Sequence, residues 1–169
     1  MNITNIGFSA LALALVFSAS AMAQGLSRDQ YKAAKQKITA EYAAAKTACD
    51  SLSGNNKDIC IAEARGKEKI AKAEVLASYK PNLQTHHKVR VANAQASYAV
   101  AMQRCDDLAG NVKDVCVKEA KQAQTTAIAD ADVELKMAQY KIEKEKCDSL
   151  SENTKDSCLT QAKANVGKV

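Results

Sequence analysis

Cys49-Asp-Ser-Leu-Ser-Gly-Asn-Asn-Lys-Asp-Ile-Cys60 is written three times, with few changes, in this chain of 169 residues. The second copy is Cys105-Asp-Asp-Leu-Ala-Gly-Asn-Val-Lys-Asp-Val-Cys116, and the third is Cys147-Asp-Ser-Leu-Ser-Glu-Asn-Thr-Lys-Asp-Ser-Cys158. All six cysteines lie inside these copies, which we call corners 1, 2 and 3 in chain order. The chain is therefore predicted to repeat one unit that carries its own pair of cysteines.

Each corner must turn back on itself if its two cysteines are to form a disulfide. On one straight helix they would lie about 16 Å apart, whereas a disulfide needs Cα atoms within about 7 Å. Gly54 and Gly110 can adopt the left-handed backbone that ends a helix. The repeat therefore favours the disulfide pairs Cys49–Cys60, Cys105–Cys116 and Cys147–Cys158, although six cysteines allow many other pairings.

The remaining corner residues suggest how the turn is built. An asparagine follows the glycine position and is expected to cap the next helix, at Asn55, Asn111 and Asn153. The leucine of each corner is expected to fill the turn, at Leu52, Leu108 and Leu150. Glu152 replaces glycine in corner 3, so that turn must either hold a left-handed glutamate or use another geometry.

The rest of the chain after residue 24 is rich in Ala, Lys, Glu and Gln, which are strong helix formers. Pro81 is the single proline and breaks the helical pattern. We predict five helices, at about 27–52, 56–79, 83–108, 112–150 and 154–166. Large apolar residues are sparse, so the core must be thin. The predicted fold is all-α: an elongated, coiled-coil-like bundle of antiparallel helical hairpins, each turn stapled by a disulfide.

Residues 1–23 have the features of a secretory signal peptide. An apolar run from Phe8 to Phe17 is followed by Ala21-Met22-Ala23, which matches the A-x-A cleavage pattern. The run is too short for a transmembrane helix, which needs about 20 apolar residues. We expect a soluble exported bacterial protein, periplasmic or secreted, whose mature chain 24–169 forms one elongated domain. Export also favours disulfides as the state of the six cysteines.

The sequence gives little sign of catalytic or metal chemistry. His86 and His87 are the only histidines, and neighbours on a helix point about 100° apart, which suits a surface position better than a metal site. No Cys-x-x-Cys motif and no serine nucleophile motif occurs. We predict no catalytic, metal-binding or cofactor-binding residue, no cofactor and no enzyme. A net charge of +5 is too small to indicate nucleic-acid binding.

The Ala/Lys-rich mature chain, with its three Cys-x10-Cys units, resembles uncharacterised exported helical proteins of proteobacteria. This resemblance covers most of the chain after residue 24 and implies no known activity.

Two functions from different classes fit these features. The first is a non-enzymatic structural or protein-interaction module of the periplasm, in which a stapled helical rod meets an unknown protein or envelope partner. The second is a periplasmic binding module, either a holdase-like chaperone or a carrier of a metal or anionic ligand. Neither the partner nor the oligomeric state follows from the sequence.

Overall fold

The computed structural model describes residues 25–166, so the expected signal peptide 1–23 and its cleavage site lie outside the described residues. Within this range the chain forms five α-helices and no strand, which confirms the all-α prediction. A 3-10 turn, Cys49–Ser51, follows the first helix. The helices are α1 (Arg28–Ala48), α2 (Gly54–Tyr79), α3 (Leu83–Asp106), α4 (Gly110–Cys147) and α5 (Glu152–Val166).

Two of the helices begin at capping boxes, in which a side chain and a backbone amide exchange hydrogen bonds. The Ser27 hydroxyl accepts from the Gln30 amide at 3.2 Å, and the Gln30 side chain accepts from the Ser27 amide at 2.8 Å. Asn82 and Thr85 form the same exchange at the start of α3, directly after Pro81. These caps fix the starts of α1 and α3. At Pro81 the chain therefore turns sharply from α2 into α3.

Each described helix packs, among residues 25–166, only on its neighbours in the chain. Among residues 25–166 the packed helix pairs are α1 with α2, α2 with α3, α3 with α4, and α4 with α5. Since consecutive helices are antiparallel, corners 1 and 2 lie at one end of the molecule and Pro81 lies at the opposite end. α4 has 38 residues against 24 in α3, so it extends beyond Pro81, where α5 folds back on it.

The buried residues are few and mostly small, as the composition predicts. Twelve apolar residues are buried in the described part of the chain, and ten of these are alanine or cysteine; only Ile38 and Leu135 are large aliphatic residues. Gly66 of α2 faces Ala96 of α3, where a Cβ added to the glycine would lie 2.9 Å from the Ala96 Cβ. Small side chains therefore set the close approach of the central helices.

The start of the described chain is fastened to the end of α2. The Leu26 amide donates to the Ser78 carbonyl at 3.0 Å. One turn into α1, Tyr31 stacks on Tyr79 with ring centroids 4.5 Å apart, an arrangement that stabilises beyond its buried area. The α1–α2 pair is thus held at both ends, by this contact and by corner 1.

The three predicted disulfides are present and close the three corners. Their Cα–Cα distances are 5.7, 5.6 and 5.7 Å, within the range that a disulfide requires. The first cysteine of each pair is fully buried, namely Cys49, Cys105 and Cys147. The staples therefore also supply the best-buried side chains in a molecule with a thin core.

The turn inside each corner differs in detail from the prediction. Gly54 and Gly110 have positive φ, +55° and +57°, but each begins the second helix of its hairpin instead of ending the first. Among the described residues, only Gly54 and Gly110 have positive φ. Glu152 is therefore not left-handed, and corner 3 forms its turn with a different geometry. There the Ser151 carbonyl accepts from the Thr154 amide at 3.0 Å.

Two corner predictions were wrong. The three leucines do not fill the turns: they are 42%, 38% and 44% exposed at Leu52, Leu108 and Leu150. In each corner the leucine amide donates to the carbonyl of the first cysteine and closes a 3-10 turn. This turn leaves the leucine side chain outside. Asn55 does not cap α2 and Asn111 does not cap α4, because both helices start without a side-chain cap.

Candidate functional site

The corners carry an ion pair that the repeated sequence encodes. The aspartate after the first cysteine meets the lysine that precedes the second cysteine by three residues. The distances are 2.9 Å for Asp50–Lys57, 2.8 Å for Asp106–Lys113 and 2.9 Å for Asp148–Lys155. This pair was not predicted from the sequence. The presence of both residues at the same positions in all three copies is the signal that could have revealed it.

The ion pairs favour the charged form of the carboxylates. The hydrogen bond from Lys57 lowers the pKa of Asp50 below its ordinary value, with a further electrostatic contribution from the same ammonium group. Hydrogen bonds from Lys155 and Lys144 lower the pKa of Asp148 in the same way. These carboxylates are exposed, so the pairs define the corner's geometry more than its stability.

Corners 1 and 2 lie side by side, and polar contacts link the helix ends next to them. The Asn55 side chain donates to the Gln103 carbonyl at 2.7 Å, which links the start of α2 to the end of α3. Nearby, Arg104 pairs with Glu63 at 3.1 Å. This end of the molecule, the two-corner end, exposes four large apolar side chains: Leu52, Leu108, Val112 and Val115.

The other exposed large apolar residues lie on the second half of α4 and at corner 3. They are Val133, Met137, Ile142 and Leu150, with exposures of 55%, 67%, 43% and 44%. All eight such side chains in the described residues thus lie at a corner or on α4.

Two grooves open on one face of the helical layer. The groove between α3 and α4 has a volume of about 590 Å³, and its floor includes Ala94, Ala120 and Tyr98. The groove between α2 and α3 has a volume of about 390 Å³ and includes Gly66 and Ile70. Ser97 and Ala101 line both, so the grooves adjoin along α3. Their apolar floors follow from the small side chains that let the helices approach closely.

The two histidines have different surroundings. His86 is exposed, as predicted. His87 is not a simple surface residue, because its Nε2 lies 2.7 Å from the Asp132 carboxylate and its side chain is 18% exposed. Arg90 pairs with Glu134 one helical turn along the same α3–α4 contact. In residues 25–166 no three His, Cys, Asp or Glu side chains form a group that could hold a metal ion.

The tyrosine that precedes each corner by seven residues is half-buried at Tyr42, Tyr98 and Tyr140. Tyr42 lines a groove between α1 and α2, and Tyr98 lines the one between α3 and α4. Tyr42 and Tyr98 therefore pack between neighbouring helices.

None of the described helices combines the length and apolar character needed to cross a membrane. The site that the geometry offers is a set of surfaces: two adjoining corners, a third corner and the exposed side of α4. Comparison with known proteins finds no matching family model, no similar curated protein and no similar solved structure.

Proposed function

We propose that this chain is a non-enzymatic protein-interaction or structural module of the periplasm, built as a disulfide-stapled helical rod. One observation carries the proposal: the large exposed apolar side chains lie at the stapled corners and on α4. Grouped apolar side chains on the surface of a protein mark interaction sites more often than isolated ones do.

The two-corner end is the surface that we assign to a protein partner. Its leucines stand on backbone that is held by a disulfide, by an Asp–Lys pair and by the Asn55–Gln103 hydrogen bond. A surface fixed in advance loses less conformational entropy when a partner binds. Rigid presentation is what the staples contribute to this function.

Site-specific photo-crosslinking in cells tests the proposal. A photo-reactive amino acid at position 108 should give a discrete adduct with one protein, and the substitution Leu52→Lys on the neighbouring corner should abolish it. The same photo-reactive residue at position 43, an exposed alanine on α1, is the matched control. A diffuse set of adducts, or equal labelling from positions 108 and 43, would refute the proposed surface.

A holdase-like chaperone is the second candidate, and the two adjoining apolar grooves favour it. A holdase binds many unfolded chains weakly, so it should suppress aggregation of a reduced client protein at near-equimolar amounts. The substitution Ala101→Glu, in the shared wall of the grooves, should remove that effect, while Leu52→Lys should not. Suppression that both variants retain would exclude the grooves as the client site.

A further inference from the structure

The side of α4 that faces α5 continues beyond the end of α5. Cys147 is bonded to Cys158, so the side of α4 that carries Cys147 faces α5. Residues at alternating steps of three and four along a helix share a side. Counting back from Cys147, that side carries Tyr140, Met137 and Val133. The α3 side is a different one, where Ala120, Ala131 and Leu135 are buried.

α5 covers only the last part of this side. The two helices are antiparallel with Cys147 opposite Cys158, so Val166 at the end of α5 lies opposite about residue 139 of α4. Before that point α4 packs on α3 alone. The uncovered region, residues 112–138 on the side away from α3, is called the outer strip. Its large apolar residues are Val112, Val115, Val133 and Met137, which are 62%, 52%, 55% and 67% exposed.

The apolar residues of the outer strip are arranged symmetrically. Val115 and Val133 are equally far from Gln124 along the helix, and Val112 and Met137 are nearly so. If a second α4 lies antiparallel against the first, Val115 meets Val133 of the second copy. In the same register Val112 meets Met137 of the second copy. Such self-complementarity is what a two-fold interface requires.

The register also leaves room for α5. Residue 110, where α4 begins, falls opposite about residue 138 of the second copy, just before the region that α5 covers. A second α4 therefore occupies the uncovered length without displacing α5, and it extends the same contact side that α5 uses. Between the apolar ends, steps of three and four residues from Val115 to Val133 pass Glu119, Gln122, Thr126 and Ala129, and the charged residues Lys118 and Asp130 flank this line.

We propose that the outer strip of α4 binds a second copy of this chain, α4 against α4 in antiparallel orientation, as a two-fold dimer. The inference deepens the proposed function and rests on it, because it names one partner of an interaction module. The two-corner end stays exposed in this dimer at both extremes of the joined layer, apart from Val112 and Val115.

The size of the strip sets the strength of the dimer. A strip of 27 residues is about 40 Å long at 1.5 Å per residue, and a helix contact about 10 Å wide gives a footprint of about 400 Å². This is about half of the 800 Å² per partner in a standard stable interface. The dimer should therefore be weak and concentration-dependent.

Sedimentation equilibrium of the oxidised mature chain, from micromolar to near-millimolar concentration, tests the inference. Val115→Lys alone and Val133→Glu alone should each weaken dimerisation at least about tenfold. Combined in one chain, they should restore it, because the new lysine of each copy faces the new glutamate of the other. Val112→Lys combined with Val133→Glu should restore less, since those positions are not opposite each other. Ala43→Lys, at an exposed position on α1 far from the strip, is the control and should leave dimerisation unchanged.

A monomer at every concentration, or a dimer indifferent to both single substitutions, would overturn the inference. Recovery by the mismatched pair as complete as by the matched pair would overturn the antiparallel register. Circular dichroism and the count of intact disulfides show whether each variant is folded. If sedimentation shows only monomer while photo-crosslinking from position 108 still gives its adduct, the dimer is refuted and the proposed function stands. A dimer without that adduct refutes the two-corner surface instead.

Discussion

The Nζ atom of Lys57 lies 2.9 Å from a carboxylate oxygen of Asp50, across the turn that Cys49 and Cys60 close. Corners 2 and 3 repeat this relationship with their own aspartate and lysine. In each case the lysine stands on the second helix and reaches back over the loop. The charged pair and the disulfide thus join the same two segments of chain at neighbouring positions.

We expect Lys57→Met to raise the pKa of Asp50 back toward its ordinary value, because the lysine's hydrogen bond is the main cause of its lowering. A lowered folded-state pKa contributes stability above the unfolded value of about 3.9, and this contribution is lost as the pH falls through the folded value. NMR titration of the Asp50 carboxyl carbon measures the shift. Lys46→Met is the control, since Lys46 is a minor cause. An Asp50 titration that Lys57→Met leaves unchanged would contradict the assignment.

We expect Cys49→Ser combined with Cys60→Ser to lower the free energy of unfolding by about 3 kcal/mol, since the cross-link restrains a loop of this size in the unfolded chain. Urea unfolding of the oxidised protein measures the change. Non-reducing peptide mapping should still find the other two disulfides, because each staple closes only its own corner. Cys147→Ser combined with Cys158→Ser is the matched control, and it should likewise lose only its own disulfide. A disulfide between cysteines of different corners in any preparation would defeat the expectation.

We expect Gly66→Ala to destabilise the protein by a net of about 1 kcal/mol. The higher helix propensity of alanine, which alone would stabilise by a similar amount, is outweighed. The added methyl group would lie 2.9 Å from the Ala96 Cβ, so α2 and α3 must separate. In an Ala96→Gly background the same substitution should instead stabilise. Thermal unfolding of the four proteins completes the cycle, and a stabilising effect of Gly66→Ala in the wild-type background would show that the helices do not approach this closely.

The repeated segment predicted the fold because its physics is local. The disulfide pairs, the left-handed Gly54 and the helix ends within a few residues all follow from spacing and backbone preference. The Asn55–Gln103 bond, the Tyr31–Tyr79 stack and the His87–Asp132 pair join residues far apart in the chain. Their partners depend on helix register, which spacing alone does not fix. The burial of the corner leucines was predicted wrongly for a related reason. Whether a leucine in a tight turn is buried depends on the path of the turn, which the sequence does not give.

We expect small-angle scattering at low concentration to give a radius of gyration well above the value of about 15 Å for a compact chain of this length. α4 alone has 38 residues and so is about 57 Å long, and no helix packs on a helix other than its chain neighbours within residues 25–166. A radius equal to the compact value would mean that the layer folds over on itself.

We expect the chain to be exported and cleaved before Gln24, because Ala21-Met22-Ala23 precedes that residue. Intact-mass analysis of the periplasmic fraction checks the terminus and should show six hydrogens fewer than the reduced chain. Ala23→Leu, which replaces a small residue that the cleavage pattern requires, is the comparison variant and should slow processing. A wild-type protein that retains residues 1–23 would disprove the assigned cleavage.

Within residues 25–166 each helix packs only against its chain neighbours, and the first cysteine of each corner bonds to the second cysteine of the same corner. The molecule can therefore be completed in the order in which it is synthesised. A hairpin can close as soon as its twelve-residue corner and the second helix have emerged, without waiting for any later segment. Contacts of such short range also favour rapid folding. When the cysteines are oxidised in the order in which they emerge, each bond that forms is therefore a native one.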